Sequence, residues 1–213
     1  MIAALYVQTG GAYYDLDGVD PWDEARDARQ YAGPWPVVAH PPCARWSRLA
    51  GFTEARFGLM RGQDGGCFAA ALAAVRTYGG VLEHPAYSAA WAAHDLPRPA
   101  SIGWTSSLLD EGWTCYIEQG RYGLPVKKAT WLYAVGCDLP ELRWGYTPDA
   151  DGVILEGARQ NLEGWRDLWG KGRREQWTKG QHRGGHHGLT STTPPAFRDA
   201  LIRMARSATR TPA

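Results

Sequence analysis

Cysteine is scarce in this chain, and Cys43, Cys67, Cys115 and Cys137 form neither a CxxC pair nor a tight metal-ligand spacing. That excludes a disulfide-built scaffold and points to reduced thiols, with the cytoplasm as the expected compartment. Long apolar runs are missing as well. Nothing approaches the roughly 18 residues a membrane span needs, and the start MIAALYVQTGG lacks the basic opening and long apolar core of a signal peptide. No membrane partner is therefore expected. Net charge is almost absent, at +1, so the molecule has no strong overall field. His182, His186 and His187 sit among Gly184, Gly185 and Gly188, which argues against the helix that would align two imidazoles, and no metal is expected.

What is present is unevenly placed. Residues 1–60 hold five Arg and no Lys against seven acids, whereas residues 165–213 hold ten Lys/Arg against three acids. A basic C-terminal quarter suits an anionic partner, although a solvated surface has the same composition. Eleven tryptophans exceed what packing in 213 residues requires, and such aromatic area serves either the core or flat ligands.

Short apolar runs alternate with helical patterns. Residues 2–7 (IAALYV) and 35–39 (WPVVA) read as buried strands, the second stopped by Pro41-Pro42. Residues 64–78 read as an Ala-rich helix with Phe68, Leu72 and Val75 on one face, ended by Gly79-Gly80. Residues 81–83 restart extended chain; 113–118 and 129–135 read as two strands around a basic, Gly-containing turn. The order predicts an α/β sheet of Rossmann type with helices on both faces, its functional loops at the carboxyl ends of the strands. The expected organisation is a domain over 1–139, an irregular Trp-bearing and basic segment over 140–190, and a C-terminal helix in 191–213 that docks back through Phe197, Leu201, Met204 and Ala208. Arg198, Arg203 and Arg206 are expected to be solvated.

In HPPCARWSRLAG, Cys43 follows two rigid prolines and has His40, Arg45 and Arg48 near it, the setting of an activated thiolate. Cys67 and Cys115 read as core thiols. The stretch resembles the catalytic loop of the cytosine-5 DNA methyltransferases through Pro41, Pro42, Cys43, Trp46, Ser47 and Gly51. Glu83-His84-Pro85 stands where that family has Glu-Asn-Val. Gln119-Gly120-Arg121-Tyr122-Gly123 followed by TWLYAVG is similar to its Gln-x-Arg-x-Arg strand and aromatic strand, and TPPAFRDALIRMA to its closing turn and helix.

The resemblance implies that Cys43 adds to the 6-position of a cytosine in DNA while Glu83 holds the ring nitrogen and amine, with Arg121, Ser47 and Gln119 completing the catalytic set. It implies methyl transfer from S-adenosylmethionine held by Gln8, Thr9, Gly10, Gly11, Asp20, Asp27 and Pro41. It also implies contacts to a flipped-out target from Arg45, Arg48, Lys127, Lys128, Lys171, Arg173 and Arg174. The sequence departs from the family in three places: His84 replaces the asparagine, Gly123 replaces the second arginine, and QTGGAYYDLDG leaves no room for the helix between the first two strands. Small size and a compressed cofactor region suit a phage-like enzyme. Two other readings stay open, a nucleotide-level pyrimidine methylase of the thymidylate synthase type and a degenerate domain that only binds DNA or protein.

Overall fold

A computed structural model describes residues 1–47, 50–58, 60–124, 127–147 and 193–209, without the side chains of residues 52, 53, 56 and 57. The chain is a mixed α/β protein. Its strands are β1 (Ile2–Leu5), β2 (Val19–Trp22), β3 (Val37–Ala39), β4 (Gly80–Pro85), β5 (Trp104–Ser106), β6 (Trp113–Glu118) and β7 (Ala129–Val135), joined in one sheet of order β2-β1-β3-β4-β7-β6-β5. The first four are parallel to one another, and β7 runs antiparallel to both β4 and β6. Among the described residues the helices are α1 (Ala50–Phe57), α2 (Cys67–Tyr78), α3 (Ala89–Ala93) and α4 (Pro195–Arg206). Among the described residues no helix is long and apolar enough to cross a membrane.

Strand alternation builds two cores. Leu5, Val37, Ala39, Leu82, Trp131 and Tyr133 face α2, where Phe68, Leu72 and Val75 meet them. Ile2, Ala4, Val38, Val81, Ile117 and Leu132 face the opposite way, onto Phe197, Leu201 and Met204 of α4. The parallel strands β1 and β3 are buried on both faces, which is why they read as continuous apolar runs rather than alternating ones. Asp64 starts α2 by accepting the amides of Gly66 (2.9 Å) and Phe68 (2.8 Å).

Several elements differ from the sequence reading. Gln119 to Tyr122 form a 3-10 turn after β6 rather than a strand, closed by Gly123 at positive φ. The strand β2 and the short β5 carry too little apolar pattern to be read from sequence. Residues 140–147 are not all loose: Leu142 is buried and Trp144 packs on the α4 side of the sheet, while 148–190 lie outside the described residues.

No helix separates β1 from β2; the chain makes successive turns there instead. Two arginines of α4 hold this connection. Arg198 donates to the Ala12 carbonyl at 3.0 Å and Arg206 to the Asp17 carbonyl at 2.6 Å. The expectation that both are simply solvated is thereby corrected. Backbone oxygens of a helix-free connection need donors, and guanidinium groups supply them.

Candidate active site

In the parallel half of the sheet the chain leaves β1 in opposite directions, to β2 on one side and β3 on the other. Ligands bind such sheets outside the carboxyl ends at this switch point. The carboxyl end of β3 leads directly into His40, Pro41, Pro42 and Cys43; the carboxyl end of β1 leads into the loop that carries Tyr13.

Register then places the key carboxylate. Val37, Val38 and Ala39 pair with Gly80, Val81 and Leu82, so the next step along both strands brings His40 beside Glu83. His40 Nδ1 lies 2.9 Å from Glu83 Oε2, and His40 Nε2 lies 2.8 Å from the Tyr13 hydroxyl. Tyr13 is 3% exposed, and burial followed by the nearby Glu83 charge pushes its phenol well above the usual tyrosine range. It therefore stays protonated and donates to Nε2, which leaves Nδ1 as the N–H that donates to Glu83. Burial alone would raise the Glu83 carboxyl, but the His40 hydrogen bond and the charge of Lys128 outweigh it and bring the group to about 2. Glu83 is a buried anion.

Its second oxygen is also engaged. Gln119 Nε2 donates to Glu83 Oε1 at 3.0 Å, and Thr130, which lies 3.0 Å from the same nitrogen, donates its hydroxyl to the Lys128 carbonyl. The other end of the amide, Gln119 Oε1, is buried and has no hydrogen-bond partner among the described residues. Glu83, Gln119 and Thr130 thus form one hydrogen-bonded unit. A carboxylate has about four lone-pair sites, so Glu83 retains capacity beyond His40 and Gln119.

Cys43 is half-buried, and its carbonyl accepts the amides of Trp46 (2.9 Å) and Ser47 (2.8 Å) in a tight turn. Trp46 anchors that turn. It is buried against Phe68, donates its indole N–H to Asp64 at 2.7 Å, and accepts the Ala89 amide at 2.9 Å on its carbonyl. Arg45 belongs to the same turn in the chain, and its Nη1 is buried and unpartnered among the described residues. The other cysteines are poor nucleophiles: burial raises the thiols of Cys67 and Cys115, and that of Cys137 to about 12.

His84 points to the opposite face from Glu83, edge-on to Phe68 and stacked with Trp91. Burial lowers its imidazole to about 4. Both of its ring nitrogens are buried without a hydrogen-bond partner among the described residues. Of these two consecutive residues of β4, Glu83 is the one bonded to the cysteine loop, through His40.

The residues assigned to S-adenosylmethionine do not form a receptive site. Thr9 donates to Asp23 at 2.6 Å, Asp20 accepts from Arg26 at 2.6 Å and from Trp22 at 2.8 Å, and Asp27 is paired with Arg29 at 2.7 Å. Asp23 additionally takes the Tyr14 hydroxyl at 2.7 Å, and these two hydroxyls hold its carboxyl down to about 2. Asp20, Asp23 and Asp27, the aspartates around the β2 end, are each hydrogen-bonded within their own stretch of chain. Gln8, Thr9 and Gly10 are exposed, Gly11 is half-buried and Pro41 is buried. The donor set does not fit the cofactor, and no step below depends on it.

Glu83 and Gln119 are thus in direct contact, with Lys128 close enough for its charge to act on Glu83, while Cys43 and Ser47 belong to the loop that His40 ties to Glu83. Arg121 sits on the 3-10 turn with Nη1 donating to the Tyr146 carbonyl at 3.0 Å, and Lys127 lies beside it in the β6–β7 turn. Arg48, Lys171, Arg173 and Arg174 lie outside the described residues. Tyr13 and His40 are the site residues that sequence reasoning missed as a pair. A histidine at a strand end ahead of two prolines was a visible signal, whereas nothing marked Tyr13.

No family model, curated protein or solved structure matches the chain in comparisons of its sequence and fold.

Proposed function

We propose that the protein modifies cytosine in DNA at the 5-position, with Cys43 as nucleophile and Glu83 as the carboxylate that holds the base. The observation that carries this reading is the 2.9 Å contact of His40 with Glu83, which ties the thiol-bearing loop of β3 to the carboxylate of β4. A Rossmann-like sheet of methyltransferase type is part of the reading, supported by the reversal of strand order at β1.

The chemistry is covalent catalysis. The Cys43 thiolate forms an S–C6 bond, and the C5=C6 pair moves toward C5, which takes a proton or another electrophile. Loss of a proton from C5 and cleavage of the S–C6 bond restore the aromatic ring. An exocyclic amine offers two N–H donors, and the acceptor assigned to it in this reading is the remaining lone-pair capacity of Glu83. In this reading Arg45, two residues beyond Cys43 in the chain, is the cation that favours the thiolate.

Proton exchange at C5 needs only the thiol and solvent, so it tests the site without any methyl donor. A cytosine-containing oligonucleotide incubated in heavy water with the protein should gain deuterium at C5, and Cys43→Ser should abolish the gain while DNA affinity is kept. Binding without exchange would overturn the catalytic reading in favour of a DNA-binding domain. That second reading is favoured by the internal pairing of Thr9, Asp20 and Asp27. Exchange on free dCMP with none on DNA would move the activity to the nucleotide level.

A further inference from the structure

Two tyrosines stand on the surface at the end of the sheet where the cysteine loop lies. Tyr87 follows β4, which runs parallel to β3, so it emerges on the same side as His40 and Cys43. It is 40% exposed, and its φ of 64° is an uncommon conformation for a tyrosine. Its ring lies 5.2 Å from buried Trp131, and the Arg98 guanidinium stands 5.8 Å from its centroid. Pro97 fixes the approach of Arg98, because its carbonyl accepts the Thr114 hydroxyl at 3.1 Å.

Tyr146 is 69% exposed, and its ring lies 6.4 Å from Tyr116. Tyr116 pairs across the sheet with Trp131, the ring that Tyr87 packs on, so these two buried aromatics form the floor between Tyr87 and Tyr146. Glu118 locks the far side by accepting the Tyr116 hydroxyl at 2.8 Å and the Thr147 amide at 2.6 Å. This acid is 2% exposed and presents no carboxylate outward. Cations surround the pair. Arg121 holds the Tyr146 carbonyl, and Arg143 holds the Arg121 carbonyl at 2.8 Å.

We infer that this surface is a rest for single-stranded DNA, with bases stacked on Tyr87 and Tyr146 and phosphates tracking Arg98, Arg121 and Arg143. Rigid aromatic faces among cations gain from unpaired bases, whose π-faces are open, and gain nothing from a duplex, whose bases are already stacked. The inference rests on the pyrimidine reading for the choice of DNA as polymer, and it specifies how that site receives its substrate.

Fluorescence anisotropy with a labelled oligothymidylate of about twelve nucleotides tests it. Tyr87→Ala and Tyr146→Ala should each weaken binding about tenfold, in line with the worth of one base–aromatic stack. Tyr87→Phe and Tyr146→Phe should bind as the wild type, since stacking needs the ring and not the hydroxyl. Arg98→Ala should flatten the salt dependence. Thermal melts equal to the wild type show that each variant is folded. Alanine variants that bind as the wild type, a duplex bound as tightly as the single strand, or RNA of equal length bound more tightly would each overturn the inference. C5 exchange separates this outcome from the fate of the catalytic reading: exchange that survives both alanine variants unchanged sinks the platform and leaves Cys43, whereas normal single-strand binding without wild-type exchange sinks the chemistry and leaves the platform.

Discussion

His40 and Glu83 are neighbours by register rather than by sequence, and their 2.9 Å contact is the joint between the loop that carries the thiol and the strand that carries the anion. Glu83 is 6% exposed and ionised, so the imidazole N–H and the Gln119 amide take over most of what water would do for it. Removing a hydrogen-bond donor from a buried carboxylate is costly because the charge stays buried with one partner fewer. His40→Ala should destabilise the protein by about 2 kcal/mol in urea unfolding. The double variant His40→Ala/Glu83→Gln should recover much of that loss, since the charge is gone; equal destabilisation of both proteins would show that the contact contributes nothing.

Acidification should act on the same strand in two stages. Burial among Phe68 and Trp91 holds His84 at about 4 against an ordinary 6.5, so below 6.5 the unfolded chain takes a proton that the folded chain refuses. Stability then falls as pH drops from 6.5 to about 4, by about 3 kcal/mol. Glu83 has the opposite charge but the same sign of effect. Its folded value of about 2 lies below the ordinary 4.5, so its contribution is complete above 4.5 and is lost between 4.5 and 2. Urea midpoints should therefore decline steadily from pH 7 downward, and His84→Phe should remove the upper part of the decline. A midpoint constant between pH 7 and pH 4 in the wild type would contradict the burial of a neutral His84.

Tyr13→Phe keeps the ring beside His40, 5.2 Å between centroids, and deletes only the hydroxyl that fixes the tautomer. The stability loss should be about 1 kcal/mol, typical of one hydrogen bond. Because the ring that orients Glu83 then loses one of its two anchors, C5 exchange should slow while the fold is kept. An unchanged exchange rate would confine Tyr13 to packing.

Much of this arrangement was legible in the residues. The apolar runs of β1, β3, β6 and β7 and the face of α2 announced themselves because both sides of those strands are buried. Cys43 and Glu83 stood out because rigid prolines and a strand-end carboxylate are local features. The Tyr13–His40–Glu83 chain was not legible, since it joins three positions through register, and a hydrogen bond across the sheet leaves no trace in spacing. Arg198 and Arg206 misled for a related reason. A helix arginine looks solvated until the loop it supports is known, and here that loop is the helix-free connection between β1 and β2. The acids Asp20 and Asp27 looked available to a ligand because their arginine partners, six and two residues away, count as ordinary charge alternation in a sequence.

Gly80 shows how directly the site depends on that register. It opens β4 with φ at 119°, and a side-chain carbon there would overlap the carbonyl of Val37, its pairing partner on β3. The close approach lets β4 start level with Val37 and so delivers Glu83 beside His40. Gly80→Ala must either push β3 and β4 apart or slip the pairing, and a slip of one residue would turn Glu83 to the α2 face. The variant should lose more than about 3 kcal/mol, combining a backbone conformation of about 1–2 kcal/mol strain for alanine with a steric clash that cannot relax. Gly10→Ala is the control: its φ is also positive, at 65°, but nothing lies within 4 Å of an added carbon. That variant should lose only about 1 kcal/mol and retain C5 exchange. Parallel unfolding curves and exchange rates for the two alanines check the argument, and similar losses at both positions would show that β3–β4 contact at Gly80 is not what sets the register of Glu83.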